Sequence, residues 1–164
     1  MVRLLKHALA LPGSVARAFP ASALSSIEKA IQESEKRHGG EIRFAVEAAL
    51  DPVSVLKKES ARERAVEVFA ELGVWDTEQN NGVLLYLLLA DHDVEIVADR
   101  GFNGKVSAVE WEGVCRAMEA HLKAGEYAEA ICEGIARIGE LVGRHFPAGA
   151  QDRNELPDRP VHRR

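Results

Sequence analysis

The apolar stretch at residues 83–90 predicts a strand that is buried on both of its faces. A strand can be apolar on both faces only where both sides of the sheet are covered, usually by helices. The stretch is too short to span a bilayer, because a membrane helix needs about 20 apolar residues. A polar turn at Asp91-His92-Asp93 and a further strand pattern at residues 94–99 follow at once, which predicts an antiparallel hairpin.

A second strand is predicted upstream, at residues 41–48, where Ile42, Phe44 and Val46 alternate with more polar positions. A helical pattern over residues 51–72 connects this strand to the central one, and such a unit closes as a right-handed parallel crossover. Other helical patterns precede the first strand and follow the hairpin. We therefore predict an α/β fold, a three-layer α/β/α sandwich whose small mixed β-sheet has helices on both faces.

The pattern divides the chain into three segments. Residues 1–19 form a short helical segment that packs on the domain or precedes it, and residues 20–147 carry the α/β pattern. Residues 148–164 are rich in Gln, Asp, Arg, Asn and Pro, which predicts a flexible tail. The apolar part of residues 1–11 is shorter than that of a secretory signal. Contact of these residues with a membrane surface is the less favoured alternative to packing on the domain.

Composition and charge exclude some classes of function. The 164 residues carry a formal net charge of −5, which argues against a protein that binds nucleic acid through a general positive field. The two cysteines, Cys115 and Cys132, have no Cys or His at zinc spacing, and we interpret them as buried thiols in a reducing compartment. With no transmembrane segment in the sequence, the expected location is the cytoplasm.

Polar residues converge on one edge of the predicted sheet. Two parallel strands at residues 41–48 and 82–90 would begin at this edge, and the antiparallel strand that follows would end there. Glu41, Asn81 and Asp99 should therefore meet. Carboxylate and amide oxygens suit a hard divalent cation, calcium or magnesium, better than zinc.

A loop that carries Asp76 reaches the same edge and could supply a further oxygen ligand. The alternative to a cation site is that Glu41 and Asp99 pair with Arg43, with Arg100 or with free backbone amides. The sequence leaves both interpretations open.

A set of short motifs spread over most of the chain carries a family resemblance. They are Gly40-Glu41-Ile42, Arg64-Ala65 followed by Phe69, Trp75-Asp76-Thr77, Asn80-Asn81-Gly82-Val83-Leu84, Glu95-Ile96-Val97-Ala98-Asp99-Arg100-Gly101 and the closing His145-Phe146-Pro147. With these motifs the chain resembles the TPM domain family from about residue 20 to residue 147. The resemblance implies an α/β/α sandwich, often with a divalent-cation site that is usually described for calcium.

The resemblance also implies several kinds of function. Some members of the family are described as acid phosphatases, and others serve in the maintenance of membrane complexes or as receptor auxiliaries. Many relatives carry a signal peptide and a transmembrane helix. This sequence shows neither, so it resembles a short soluble branch of the family.

The favoured hypothesis is a divalent-cation-binding accessory module that acts through an unknown protein partner, with calcium preferred to magnesium. Its cation ligands would be Glu41 and Asp99 first, then Asp76 and Asn81. The alternative is a slow metal-assisted acid phosphatase, for which Asp99, Arg100 and Arg64 are the candidate catalytic residues. No P-loop, Cys-x5-Arg motif or serine nucleophile supports that chemistry. A structural interaction domain without a ligand is the third hypothesis.

Overall fold

The computed structural model of the chain describes residues 2–10, 13–150 and 152–163. Predictions for the N-terminal segment and the tail also cover Met1, Leu11, Pro12, Gln151 and Arg164, which lie outside the described residues. In chain order the elements are α1 (Val2–Ala8), α2 (Ser14–Ala18), α3 (Ala21–Glu35), β1 (Glu41–Glu47), α4 (Pro52–Leu56), α5 (Ala61–Glu71), β2 (Gly82–Leu88), β3 (Asp93–Ala98), a 3-10 turn (Arg100–Phe102), α6 (Ala108–Ala124), α7 (Tyr127–His145) and β4 (Val161–Arg163).

The four strands form one mixed sheet in the order β3-β2-β1-β4. β1 and β2 run parallel, with Glu41 opposite Gly82, whereas β2 and β3 run antiparallel, with Val83 opposite Ala98. The predicted parallel crossover and the predicted hairpin are therefore both confirmed. This register brings the first residues of β1 and β2 and the last residues of β3 to one edge of the sheet, which we call the rim.

Two apolar clusters lie on opposite faces of the sheet, as the apolar character of β2 predicts. All seven residues of β2 are buried. Val83, Leu85 and Leu87 pack in a cluster with α3, α6 and α7, whereas Leu84 and Tyr86 pack in a cluster with α4 and α5. Because side chains alternate between the two faces of a strand, β2 supplies both clusters. The three-layer α/β/α sandwich is confirmed.

The helical pattern at residues 51–72 forms two helices, so the prediction of one continuous helix is wrong. Asp51 caps α4 by accepting hydrogen bonds from two backbone N–H groups. The chain then leaves the helix at Lys58, whose φ is +62°. Ser60 and Glu63 start α5 with a reciprocal capping box, which satisfies backbone N–H groups that a helix start leaves free. This Ser-x-x-Glu pattern is visible in the sequence.

Residues 152–163, which we call the strap, follow the outer edge of β1. β4 pairs in parallel with β1, with Ala45 opposite Val161. Leu156 is 9% exposed and belongs to the cluster on the α4–α5 side. The prediction of a flexible tail is therefore wrong for this part of the segment, because the strap adds a strand to an edge that would otherwise be open.

α1 packs beside the hairpin turn and α4. His7 is buried and accepts a hydrogen bond from the Leu50 N–H through Nδ1 at 2.9 Å, while Arg3 pairs with Asp91 at 2.9 Å. The outward side of this helix exposes Val2 and Leu5. Membrane-surface contact through residues 1–11 stays a prediction.

Among the described residues, no helix combines the length and the apolar character that crossing a membrane requires. Cys115 and Cys132 are free thiols and are half-buried. The cytoplasmic location stays a prediction.

Candidate functional site

Close backbone contacts at two glycines hold the rim together. A Cβ atom on Gly82 would overlap the Val74 carbonyl oxygen, so the loop before β2 lies directly on that strand. A Cβ atom on Gly101 would overlap the Asn80 carbonyl oxygen and would lie 2.8 Å from the Gln79 carbonyl oxygen. Only glycine allows backbones to approach this closely. The Asn-Asn-Gly and Asp-Arg-Gly motifs therefore fix the shape of the rim.

The Glu41 carboxylate binds the strap. Oε1 accepts a hydrogen bond from the Glu155 N–H at 3.1 Å, and Oε2 accepts one from the Leu156 N–H at 2.9 Å. The residue is 3% exposed, and burial raises the pKa of Glu41 although both backbone donors act in the opposite direction. Of the two interpretations left open by the sequence, pairing with free backbone amides describes Glu41.

Asp99 begins the 3-10 turn at the end of β3. Its N–H donates to the Gly82 carbonyl at 2.9 Å, and its Oδ1 accepts from the Arg100 N–H at 2.7 Å. The Arg100 side chain donates through Nε to Asn80 Oδ1 at 3.0 Å. Asp99 Oδ2 is buried and has no hydrogen-bond partner among the described residues. One oxygen of this carboxylate is thus used by the fold and the other is not.

The rim does not bring Glu41 and Asp99 together. Both residues lie beside Gly82 of β2. Glu41 is its neighbour on the β1 side, and Asp99 is its neighbour on the β3 side. Two strand spacings separate their backbones by about 10 Å. The Val74 carbonyl covers Gly82 between them. A cation shared by the two carboxylates would need the Glu41 side chain to leave the strap.

The other two predicted cation ligands lie in separate places. Asn81 is fully buried on the opposite face of the sheet from the Glu41 carboxylate, and its Nδ2 donates to the Gly39 carbonyl at 2.6 Å. Asn81 Oδ1 has no hydrogen-bond partner within the described part of the chain. Asp76 is exposed in the loop before β2. Topology therefore places the four residues near one rim without directing their oxygens to one point.

Across residues 2–10, 13–150 and 152–163, no three His, Cys, Asp or Glu side chains are grouped so that they could hold a metal ion. Because Glu41 is bound to the strap, a cation at Asp99 would draw its remaining ligands from carbonyl groups and water. Asp99 is the predicted residue whose free oxygen fits that role. Ligand sets of this mixed kind are usual for calcium.

Arg64, the third candidate catalytic residue, lies at the other end of β1 from Asp99. Its guanidinium binds both oxygens of Glu47, with Nε–Oε2 at 2.9 Å and Nη2–Oε1 at 3.1 Å. Glu47 also accepts the Tyr86 hydroxyl at 2.6 Å. The hydrogen bond to Glu47 raises the pKa of Arg64, and burial raises that of Tyr86. A seven-residue strand is roughly 20 Å long, so Arg64 cannot share a site with Asp99 and Arg100.

A second polar site, which the sequence interpretation missed, lies where the strap meets β1 and α3. Arg43 is 6% exposed and donates through Nη1 to the carbonyls of Pro157 and Arg159. Glu35 accepts the Ile42 N–H at 2.8 Å, and burial, with Glu41 and Asp158 nearby, raises the pKa of Glu35 to about 9. A polar residue such as Arg43 in an alternating strand pattern indicates a solvent face, so no clear sequence signal identified this site.

A groove with a volume of about 1300 Å³ lies between the loop before β2 and the first part of the strap. Carboxylates of Glu78, Asp152 and Glu155 are in its lining. Glu155 also joins the two sides, because its Oε2 accepts the Glu78 N–H at 2.9 Å. The groove is therefore polar and largely acidic.

Comparison with solved structures finds the same fold in three bacterial proteins. The NMR structure of the BA42 protein from the psychrophilic bacterium Bizionia argentinensis has a TM-score of 0.78 and 29% identity, covering 88% of this chain and 94% of that one. The N-terminal domain of a P. gingivalis protein has a TM-score of 0.64 and 17% identity, covering 82% and 84%. The N-terminal domain of the cg2496 protein from Corynebacterium glutamicum has a TM-score of 0.57 and 13% identity, covering 80% and 77%.

None of the curated proteins compared with the chain matches it. A family model described as the TPM domain matches residues 15–141, which is more than half of the chain. The match contains the rim, both glycine motifs and the whole of β1, β2 and β3. The chain therefore belongs to the TPM domain family.

Proposed function

We propose that this TPM domain is a cation-binding interaction module, which holds a divalent cation at Asp99 and acts by docking a protein partner. The observation that carries the proposal is the buried Asp99 Oδ2, which lacks a hydrogen-bond partner among the described residues. Buried polar atoms in folded proteins almost always have a partner, and a bound ion or an ordered water is a usual partner for one that has none within the protein. The Gln79 carbonyl lies nearby against Gly101.

Calcium fits this arrangement better than magnesium. Calcium accepts six to eight oxygens in irregular geometry, including backbone carbonyls and water, whereas magnesium requires a near-ideal octahedron. Affinity for calcium rises with the number of charged ligands. One carboxylate therefore suggests the weak class of sites, with a Kd of about 10⁻⁴ to 10⁻³ M.

Isothermal titration and thermal unfolding with calcium and with magnesium test the proposal. Calcium should raise the Tm of the wild-type chain, and Asp99→Asn should lose this effect, because the amide keeps an acceptor for the Arg100 N–H but loses the charge. Glu41→Gln is the matched control. It should lower the Tm without calcium by weakening the hold on the strap, and it should keep the calcium shift.

If the wild-type chain gives no heat and no Tm shift with either ion, the cation part of the proposal is wrong. The third hypothesis, an interaction domain without a ligand, would then replace it. Loss of the calcium shift in Glu41→Gln with retention in Asp99→Asn would place the cation at the strap and would contradict the assignment to Asp99.

The alternative function, a slow metal-assisted acid phosphatase, would use the same carboxylate. Its supporting observation is the exposed Arg100 directly beside Asp99, where a guanidinium could bind a phosphate. Release of phosphate from a generic phosphomonoester should be compared for wild type and Asp99→Asn with calcium or magnesium. A rate that falls with the substitution would favour the hydrolase, whereas equal rates would indicate a contaminating activity or a site other than Asp99.

A further inference from the structure

The outer edge of β1 is covered by the strap and, at the start of the strand, by Glu35 of α3, which accepts the Ile42 N–H. Only three residues of the strap, Val161–Arg163, form strand β4. The part before them is held by two side chains of β1, Glu41 and Arg43, instead of by a strand ladder. β1 would otherwise present the unpaired backbone groups of an edge strand, which readily pair with another chain.

The contacts that hold the strap are directed mainly at its backbone. Glu41 accepts two successive backbone N–H groups, and Arg43 donates to the carbonyls of Pro157 and Arg159. β4 adds ladder hydrogen bonds, and the Ala48 N–H donates to the Arg163 carbonyl at 3.1 Å. Contacts of this kind recognise an extended chain and do not depend on most of its side chains.

Side chains of the strap also contact the α4–α5 side of the domain. Leu156 inserts into the apolar cluster on the α4–α5 side of the sheet. Arg163 pairs with Glu71 of α5, with Nη2–Oε2 at 2.5 Å. An apolar anchor and a basic residue seven positions later therefore define the side chains that this edge accepts.

Strand β1 is part of the family match, whereas the strap that covers it is not. Every residue of β1 is buried, and the whole strand lies inside the family match at residues 15–141. The strap lies outside that match. It is joined to α7 through residues 147–150, which are exposed. Opening of the strap would thus leave the sheet and both apolar clusters largely intact.

We propose that the outer edge of β1 is a docking site for an extended peptide strand of a partner protein, and that the strap occupies this site in cis. The partner segment would add to the sheet as a further strand. It would carry an apolar residue at the Leu156 position and a basic residue opposite Glu71. The proposal deepens the interaction part of the proposed function and rests on it, yet it requires no cation.

Binding of a fluorescent peptide with the sequence of residues 152–163 to the full chain tests the proposal, with EDTA present so that a failed cation assignment cannot affect the result. The wild-type chain should bind weakly, because its own strap fills the site. Leu156→Asp in the chain removes the apolar anchor of the strap and leaves β1 unchanged. This variant should bind the peptide at least about tenfold more tightly than wild type.

Two control variants distinguish the contribution of the β1 edge to peptide binding from that of the strap. Arg159→Ala should behave as wild type, because only the backbone carbonyl of this exposed residue contacts β1. Adding Arg43→Met to Leu156→Asp should weaken peptide binding at least about tenfold again, since the two carbonyl contacts are lost. A folded Leu156→Asp chain that binds no peptide would overturn the proposal.

Hydrogen exchange of the wild-type chain decides the case if Leu156→Asp does not fold. The amides of Glu155, Leu156 and Arg163 should exchange by local opening, at a lower free energy than the amides of β2. If the strap amides and the β2 amides both exchange only through global unfolding, the strap does not open on its own. That result would contradict the proposal. Strap-exchanged dimers that exclude the peptide would also contradict it, because the occupant would then be a second copy.

Discussion

Gly82 and Gly101 explain why the two most specific motifs of the sequence contain glycine. Both residues allow one backbone to lie directly on another, Gly82 under Val74 and Gly101 under Asn80. Neither has a positive φ, so the requirement is for space and not for conformational freedom. These two glycine motifs therefore serve the packing of the rim. A ligand at the rim would bind the polar atoms that this packing leaves without partners.

Gly82→Ala should lower the free energy of unfolding by about 1–3 kcal/mol, the usual effect of forcing an extra methyl group into a closed space. Gly113→Ala is the matched control. A Cβ atom there meets nothing within 4 Å, and the position lies inside α6, so alanine should raise stability by about 0.5–1 kcal/mol. Urea unfolding measures both values, and similar effects for the two variants would contradict the packing explanation.

Arg64 holds the Glu47 carboxylate in place, and its removal should be costly. The Glu47 side chain is 7% exposed, so Arg64→Met leaves a buried charge without its cation and should lower the free energy of unfolding by about 3 kcal/mol. Tyr86→Phe removes one hydrogen bond to the same carboxylate and should cost about 1 kcal/mol. Urea unfolding measures the free energy of unfolding of both variants. If Arg64→Met costs no more than Tyr86→Phe, the ion pair does not stabilise the buried carboxylate as described.

The positions of individual site residues could be predicted from the sequence only in part. Strand direction places Glu41 and Asp99 at the same rim, and the structure has both there. The hydrogen-bond partners of the Glu41 oxygens could not be predicted, because they belong to the strap, more than a hundred residues away. Composition gives no indication of such a contact.

At the scale of elements, the apolar pattern of β2 was sufficient to predict the layers and the hairpin, because a strand buried on both faces has few alternatives. The break between α4 and α5 follows from the capping box at Ser60 and Glu63, a local signal. β4 could not be predicted in this way. Val161–Arg163 is too short and too polar to show a strand period, and it is ordered by the edge to which it binds.

The strap should be held less firmly as the pH rises. The pKa of Glu35 is about 9 in the structure and its ordinary value is 4.5, so the docked state holds a proton that an undocked state releases. Docking is therefore fully stabilised below about pH 4.5 and loses stability up to about pH 9. The raised pKa of Glu41 acts in the same direction, and burial lowers the pKa of His38, which favours its neutral form.

The charged groups that act on Glu35 are Glu41 and Arg43 from β1 and Asp158 from the strap. The groove that Glu35 lines also carries Lys36, His38, Asp152 and Arg153. Hydrogen exchange of the strap amides, corrected for intrinsic rates and compared with β2, should show less protection near pH 9 than near pH 7. Glu35→Gln should remove most of this difference. A pH-independent ratio in wild type would contradict the role of the Glu35 proton.

At the scale of the whole molecule, two polar regions lie at different places on one scaffold. The rim carries Asp99 with its free oxygen, and the outer edge of β1 carries Glu41 and Arg43 with the strap. The fold class could be predicted from periodicity together with the motif resemblance. The separation of the candidate ligands into two regions could not, because it depends on the Val74 loop covering Gly82 and on the strap.

The most direct test of the cation proposal is a calcium titration followed by the backbone amide shifts of the whole chain. We expect shifts to concentrate at residues 76–82 and 99–103 and to saturate in the range of about 10⁻⁴ to 10⁻³ M, with Glu155 and Leu156 unchanged. In the same titration of Asp99→Asn, the chemical shifts of the rim amides should not change. Absence of shifts in the wild-type chain, or shifts centred on the strap or on the Asp91–Asp93 turn, would contradict the assignment.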